Sequence, residues 1–357
     1  MAYDLDHSVW TVYFVWYSSP LFDPQHGWHH WTHHRNYLDK DGKLIKREVR
    51  DPSKWMAPGK RDAAASNYPL IGCYDSADEK VMRWHMRTAR EHGIDGFIIG
   101  WWGPHPKDDP EANTDKPLAM AAEMAKDYDL SLAVVPDGEA EPVSMVSRLK
   151  LIWDLYGRNE SFLDSEGRMM IYTWTWGRMG TAGIDRVKTE LADYGARYFY
   201  VGDAPFSTFT LPSETSKEAL AERFDALGHF ISLPDDQMVA QHELARKMGK
   251  LSIGTVSPGI DLSSVELRAG RNPELCPRDD GRFYKNKWDI VAGRCDTDAV
   301  FVTSWNEWHE GADVEPSRDE GFLYLQMTKY YSKLYKERRW NEFSNEELEQ
   351  HLNLQIP

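Results

Sequence analysis

Residues 300–311 read VFVTSWNEWHEG and set Glu307 and Glu310 three positions apart. Two carboxylates in unlike surroundings can divide acid and base work. The more desolvated one keeps its proton while the other stays ionised. Cleavage of a glycosidic bond needs that division. The preceding Val300, Phe301, Val302 and Thr303 are β-branched or aromatic and uncharged, which predicts a buried strand ending at the glutamates. Trp305, Trp308 and His309 lie among them, and indole faces suit the C–H faces of sugars. The plainer alternative for Glu307 and Glu310 is a loop salt bridge or a cap on the following helix.

Something must hold such a pair in place, and the apolar pattern indicates what. Near-continuous apolar runs recur at 9–17, 96–102, 130–135, 169–174, 198–202, 229–232, 251–256 and 299–305. Runs of this kind read as buried parallel strands. Helical patterns separate them, at 77–92, 116–127, 143–156, 184–194, 216–226, 236–248, 283–293 and 322–337. The first of these has Ser76 and Glu79 in capping-box spacing and stops at Gly93. Alternating strands and helices predict an α/β fold, a single (β/α)8 TIM barrel over residues 1–340 with a polar tail at 341–357. Long loops follow strand one (residues 18–75) and strand seven (257–282). Both lie at the barrel end where such enzymes place their chemistry.

The strand ends then nominate a site. Strand one delivers Trp16 and Tyr17, and strand two delivers Trp101, Trp102 and His105. Asp137, Glu139 and Glu141 follow strand three; Tyr172, Trp174 and Trp176 end strand four; Asp203 follows strand five. Strand eight brings Asn306, Glu307, His309 and Glu310. The candidate substrate contacts are Tyr17, Trp101, Trp102, Glu139, Tyr172, Trp174, Asn306 and His309. For the Trp101–Trp102 pair the alternative is core packing, since strand alternation sends one inward and one away. For Glu139 and Glu141 it is a favourable place before a helix N-terminus. This aromatic, acidic collection fits a neutral polyol.

Composition narrows the partners. The net charge of −15 disfavours nucleic acid and anionic membrane surfaces. Fifteen tryptophans and seventeen tyrosines fit either a bulky core or an aromatic-lined cleft. Cys73, Cys276 and Cys295 form no C-x-x-C pair, so neither a disulfide framework nor a cysteine zinc site is expected. Residues 26–34 hold five histidines, but no H-E-x-x-H pattern accompanies them, so they are expected in the cleft or on the surface with no metal. No phosphate-binding glycine loop or G-x-S-x-G elbow is present, and no cofactor is expected. Neither a leader-type N-terminus nor an apolar run of membrane-spanning length is visible, which reads as cytoplasmic.

Several blocks together resemble glycoside hydrolase family 99, the endo-α-mannosidases and endo-α-mannanases, and family-99-like domains. They are residues 13–20 with 28–31 (YFVWYSSP, WHHW), 66–76 (SNYPLIGCYDS), 91–102 (EHGIDGFIIGWW) and 304–316 (SWNEWHEGADVEP). The resemblance implies a (β/α)8 barrel and retaining cleavage of an internal α-mannosidic bond in an oligo- or polysaccharide. It further implies that Glu307 takes the proton of the sugar's own 2-hydroxyl, giving a 1,2-anhydro sugar. Glu310 would protonate the leaving oxygen and later activate water. Tyr17 and one tryptophan of the 101–102 pair would touch substrate. The chain departs from the family after strand three, where residues 136–142 read PDGEAEP in place of an E-P-Y-like context. Direct attack by a carboxylate, a glycosyl transferase-like role in polysaccharide synthesis and a non-catalytic glycan-binding barrel are the alternatives.

Overall fold

The computed structural model describes residues 2–103, 114–136, 141–173, 176–202, 216–230 and 233–353. Among these, eight parallel strands close into one barrel whose ring order follows the chain. They are Ser8–Phe14, Gly96–Trp101, Ser131–Pro136, Met169–Thr173, Tyr198–Gly202, Ala226–Leu227, Leu251–Val256 and Ala299–Val302. The first strand closes the ring, pairing Ser8 with Ala299 on one side and Trp10 with Gly96 on the other.

Alternation sorts each strand's side chains into two cores. Trp10, Val12, Phe14, Ile98, Val135, Met170, Tyr172, Val201 and Phe301 fill the barrel. Val9, Tyr13, Phe97, Ile99, Trp101, Val134, Ile171 and Val302 face the surrounding helices. Burial on both faces is why the strands read as unbroken apolar runs. A Cβ at Gly96 would lie 2.4 Å from the Trp10 ring, so the glycine makes room for that indole.

The helices are α1 Glu79–Glu91, α2 Asp115–Met124, α3 Pro142–Tyr156, α4 Trp176–Tyr194, α5 Lys217–Ala221, α6 Asp235–Lys247, α7 Arg282–Trp288 and α8 Leu323–Lys336. A further helix, α9 (Asn345–Asn353), lies within the expected tail. Its Leu348 is buried in the outer core, and Glu347 accepts a hydrogen bond from the Tyr330 hydroxyl.

Four boundaries differ from expectation for identifiable reasons. The first strand stops at Phe14 because the Asn306 side chain takes over its ladder, accepting from Phe14 N–H (2.8 Å) and donating to Phe14 C=O (2.7 Å). Asp78, not Ser76, caps α1 through Lys80 N–H; the Ser76 hydroxyl accepts from Tyr17 N–H instead. The sixth strand is the two-residue Ala226–Leu227, ahead of the expected 229–232, and His229 and Phe230 lie beyond it. The α4 segment begins at Trp176, but Gly180 (φ 61°, ψ 179°) breaks it, which is why the glycine-rich stretch did not read as helix.

The two long insertions meet. Residues Glu266–Arg268, from the loop after strand seven, pair in parallel with His34–Leu38, which pairs antiparallel with Leu44–Val49. The Ser66 hydroxyl donates to the Asp261 carbonyl at 2.8 Å, a second link between the insertions.

Candidate active site

Glu307 precedes and Glu310 ends a single 3-10 turn, Trp308–Glu310, just past the eighth strand. Gly311 closes the turn at φ 57°; a Cβ there would meet Asp261 and Ser66 at 3.1 and 3.2 Å. Beneath it the backbone is pinned from three directions. The Ser304 hydroxyl accepts from Glu307 N–H (2.7 Å), the Tyr17 hydroxyl donates to the Asn306 carbonyl (2.9 Å), and the Ser264 hydroxyl donates to the His309 carbonyl. A site on a loop is thus held nearly as firmly as one on a strand.

The two carboxylates differ in environment. Glu307 is mostly buried, and its Oε1 lies 2.9 Å from Nδ1 of His309. Glu310 is open to the cleft but ringed by protein. That surrounding desolvation, and then the negative charge of Glu307, push its carboxyl up to about 7; His309 pulls slightly the other way. Glu310 therefore keeps its proton to a higher pH than an ordinary carboxyl.

The cleft wall is built from other rings than those in the glutamate segment. Trp305 and Trp308 are wholly buried. Trp305 packs edge-on against Phe97 and His85, and Trp308 donates to the Tyr74 hydroxyl. The wall is formed instead by Trp102, Trp16 and the histidine cluster. His30 stacks on Trp16 at 4.4 Å, nearly parallel, and Trp102 lies 5.2 Å from both. His33 packs at 4.8 Å from His309. Burial depresses His30 strongly and brings His33 down to about 4, so these two imidazoles serve as neutral stacking and hydrogen-bonding surfaces; burial lowers His309 as well, against the opposing pull of the His30 carbonyl and Glu310. A cavity of about 190 Å3 opens beside Trp16 and Tyr17, lined also by Gln25, His26, Asp75 and Lys116. It adjoins the glutamate turn through Tyr17 without including it. Among the described residues, no three metal-ligating side chains converge.

Several nominated contacts have structural positions. Trp101 faces the helices, fully buried, with Nε1 donating to Asp115 at 2.5 Å; of the pair, only Trp102 faces the cleft. Trp176 is a core residue donating to the Val201 carbonyl. Tyr172 lies inside the barrel between Phe230 and Phe301. Asn306 is wholly buried and spends its amide on Phe14 and the Tyr74 hydroxyl. Tyr17 is buried under the glutamate turn, its ring 5.9 Å from that of His309. Glu141 precedes the first turn of α3. His105, Asp137, Glu139, Trp174 and Asp203 lie outside the described residues. Sequence reasoning passed over Ser304, Tyr74 and Ser264. Tyr74 sits in the quoted 66–76 block, the only signal that pointed toward it.

A closed parallel barrel with a proton-holding carboxyl beside a second, hydrogen-bonded carboxyl at its C-terminal mouth has the makings of a glycan-cleaving barrel hydrolase. The model of the glycosyl hydrolase family 99 matches residues 4–346, and the chain belongs to that family. It is 26% identical to a glycoprotein endo-α-1,2-mannosidase of Rattus norvegicus over 99% of this chain and 78% of that protein. It is 25% identical to a glycoprotein endo-α-1,2-mannosidase-like protein of Homo sapiens over 96% of this chain and 77% of that one. The fold matches the GH99 endo-α-mannosidase structure from Bacteroides thetaiotaomicron with a TM-score of 0.72, at 18% identity, covering 94% of this chain and 99% of that one. The protein is a glycoside hydrolase of the endo-α-mannosidase type.

Proposed function

We propose that the protein cleaves internal α-mannosidic bonds of an oligo- or polysaccharide with retention, using Glu307 and Glu310 in opposite roles. Glu307 takes the proton of the 2-hydroxyl of the sugar on the non-reducing side of the bond. That oxygen attacks C1, the C1–O bond to the leaving sugar breaks, and Glu310 delivers its proton to the departing oxygen. The product of this step is a 1,2-anhydro sugar. Glu310, now ionised, removes a proton from water, which opens the three-membered ring at C1. Glu307 returns its proton to O2, so both carboxyls end as they began.

The observation that carries this reading is the environment of Glu310. A carboxyl held protonated up to about pH 7 is a general acid poised for neutral conditions. Trp102, half-buried beside His30, supplies the apolar face on which a sugar ring would rest, while Trp16 is sandwiched between Phe14 and His30 behind it. The α-1,2 linkage named for the relatives is the first to test.

The test is hydrolysis of α-mannan, α-1,2-manno-oligosaccharides and glucosyl-mannose oligosaccharides, wild type against Glu307→Gln, with products resolved by size. Internal fragments that vanish in the variant support the reading. A 2-deoxy or 2-fluoro analogue should be inert; normal cleavage of it would replace the anhydro sugar with direct carboxylate attack.

A further inference from the structure

His309 makes two hydrogen bonds that together restrict where protons can be. Its Nε2 lies 2.5 Å from the backbone carbonyl of His30. A carbonyl only accepts, so Nε2 carries the hydrogen in every protonation state of the ring. The proton of a neutral imidazole is thereby used up, and Nδ1 is left with a lone pair. Yet Nδ1 faces Glu307 Oε1 at 2.9 Å. An imidazole lone pair and a carboxylate oxygen do not approach so closely without a hydrogen between them. The contact exists only when Glu307 and His309 together hold one proton beyond the one on Nε2.

We infer that His309 is a positioning residue for Glu307: anchored on the His30 carbonyl, it fixes the carboxylate through one shared proton and makes the pair titrate as a unit. The inference rests on the roles proposed above for Glu307 and Glu310. It also changes how His309 is read, from substrate contact to a side chain acting through the base.

The arrangement balances charge during the first step. In the resting protein the pair is neutral overall, with an imidazolium facing a carboxylate, and Glu310 is a neutral acid. When Glu307 accepts the 2-hydroxyl proton the pair gains one positive charge. In the same step Glu310 gives its proton to the leaving oxygen and becomes negative. The new carboxylate forms beside the new positive charge, and the trio's total is unchanged. The other titratable groups around the ring add little charge: His30 and His33 are held neutral by burial, and the Tyr17 hydroxyl is raised far above its usual range. The fourth neighbour, Ser264, contributes only a hydroxyl to the His309 carbonyl.

Three variants separate positioning from packing. In His309→Asn the amide nitrogen takes the place of Nδ1, so the donor to Glu307 survives without a titratable ring. In His309→Gln the amide reaches the Nε2 position, keeping the His30 carbonyl and abandoning Glu307. His309→Ala loses both. Expected on an α-1,2-linked mannotetraose are a kcat for His309→Asn within about tenfold of wild type, a fall of about 10–100-fold for Gln and Ala, and little change in KM. Both limbs of the kcat/KM pH profile of His309→Asn should move to higher pH. Without an imidazolium, Glu307 gains a proton more readily and Glu310 gives one up less readily.

A readout independent of turnover comes from nitrogen NMR of histidine-labelled protein. His309 should show both ring nitrogens protonated, with the Nδ1 proton far downfield, and Glu307→Gln should abolish that downfield signal. Equal kcat for Asn and Gln with unmoved pH limbs, or an Nδ1 lacking any proton, would overturn the inference. If Glu307→Gln turns over like wild type, the catalytic reading itself fails. If Glu307→Gln is dead while the His309 variants and spectra behave as simple packing changes, only the positioning role fails.

Discussion

At Glu310 the chemistry and the environment can be checked separately. Glu310→Gln should reduce turnover of an unactivated glycoside by about 10²–10⁴-fold, the usual contribution of a positioned acid. An aryl glycoside with a good leaving group should lose much less in its first step, and equal losses on both substrates would remove the acid role. The carboxyl is raised, so its proton is needed and is lost as pH climbs. The kcat/KM of the wild type should fall above about pH 7. The charge of Glu307 is one cause of the raise, so in Glu307→Gln a carbon NMR titration of Glu310 should show a lower pKa than wild type. The pair itself was legible in the sequence because strand-then-glutamate is a local pattern. The reason the two differ was not, because it lies in how the fold buries them and in the His309 ring, which the His30 carbonyl holds against Glu307.

At the scale of elements, the last loop is fastened to α1 by a buried network. The His85 imidazole and the Glu315 carboxylate are wholly buried and 3.1 Å apart. Tyr74 donates to the other Glu315 oxygen, and the Tyr13 hydroxyl meets His85 Nδ1. Removing one partner strands the other, so Glu315→Ala should cost roughly 3–5 kcal/mol in denaturant unfolding, and Glu315→Gln clearly less. Gly311→Ala tests the turn: a side chain forced into left-handed backbone against Asp261 and Ser66 should cost about 1–2 kcal/mol and lower kcat through displacement of Glu310. A retained kcat would mean the turn is less tightly seated than its contacts imply. Strand existence was readable throughout, since buried parallel strands leave unbroken apolar runs. Strand ends were not, because partners such as Asn306 at Phe14 decide them from nearly three hundred residues away. Which of Trp101 and Trp102 turns inward depends on the parity set by Ile98, a tertiary fact.

For the whole molecule, the titration of buried groups predicts how stability responds to acid. His30, His33 and His229 are depressed, mainly by burial, with His33 and His229 near 4. The unfolded chain binds protons at these sites first, so they lose stability progressively as pH falls from about 6.5 toward 4. Glu310 and Asp313, both raised to about 7, oppose this: the folded state holds their protons longer, and stability falls as pH rises through about 4 to 7. His92, His242 and His351 are lowered by burial too, so the depressed histidines outnumber the two carboxyls and leave a net gain in stability from pH 5 to 7. Chemical denaturation at the two pH values should show it, and His33→Asn should lose less on acidification than wild type. An unchanged slope in that variant would assign the acid sensitivity elsewhere. Barrel topology was legible at this scale from eight repeats of one pattern. The pairing of the two insertions was not, because residues 36–38 and 266–268 carry no local mark of each other.

The ring closure has a bearing on how the protein comes into being. A chain emerging from its N-terminus exposes the apolar strand Ser8–Phe14 first, but one of that strand's two neighbours is the last to arrive. Until Ala299–Val302 has been made, the nascent barrel has two open edges, and the backbone of Phe14 waits for an asparagine not yet synthesised. Contacts of such long sequence separation form late and slowly. The glutamates ride on the same final strand, so barrel closure and assembly of the catalytic pair are one event. Premature termination anywhere before residue 299 should therefore yield an aggregation-prone fragment rather than a weakened enzyme.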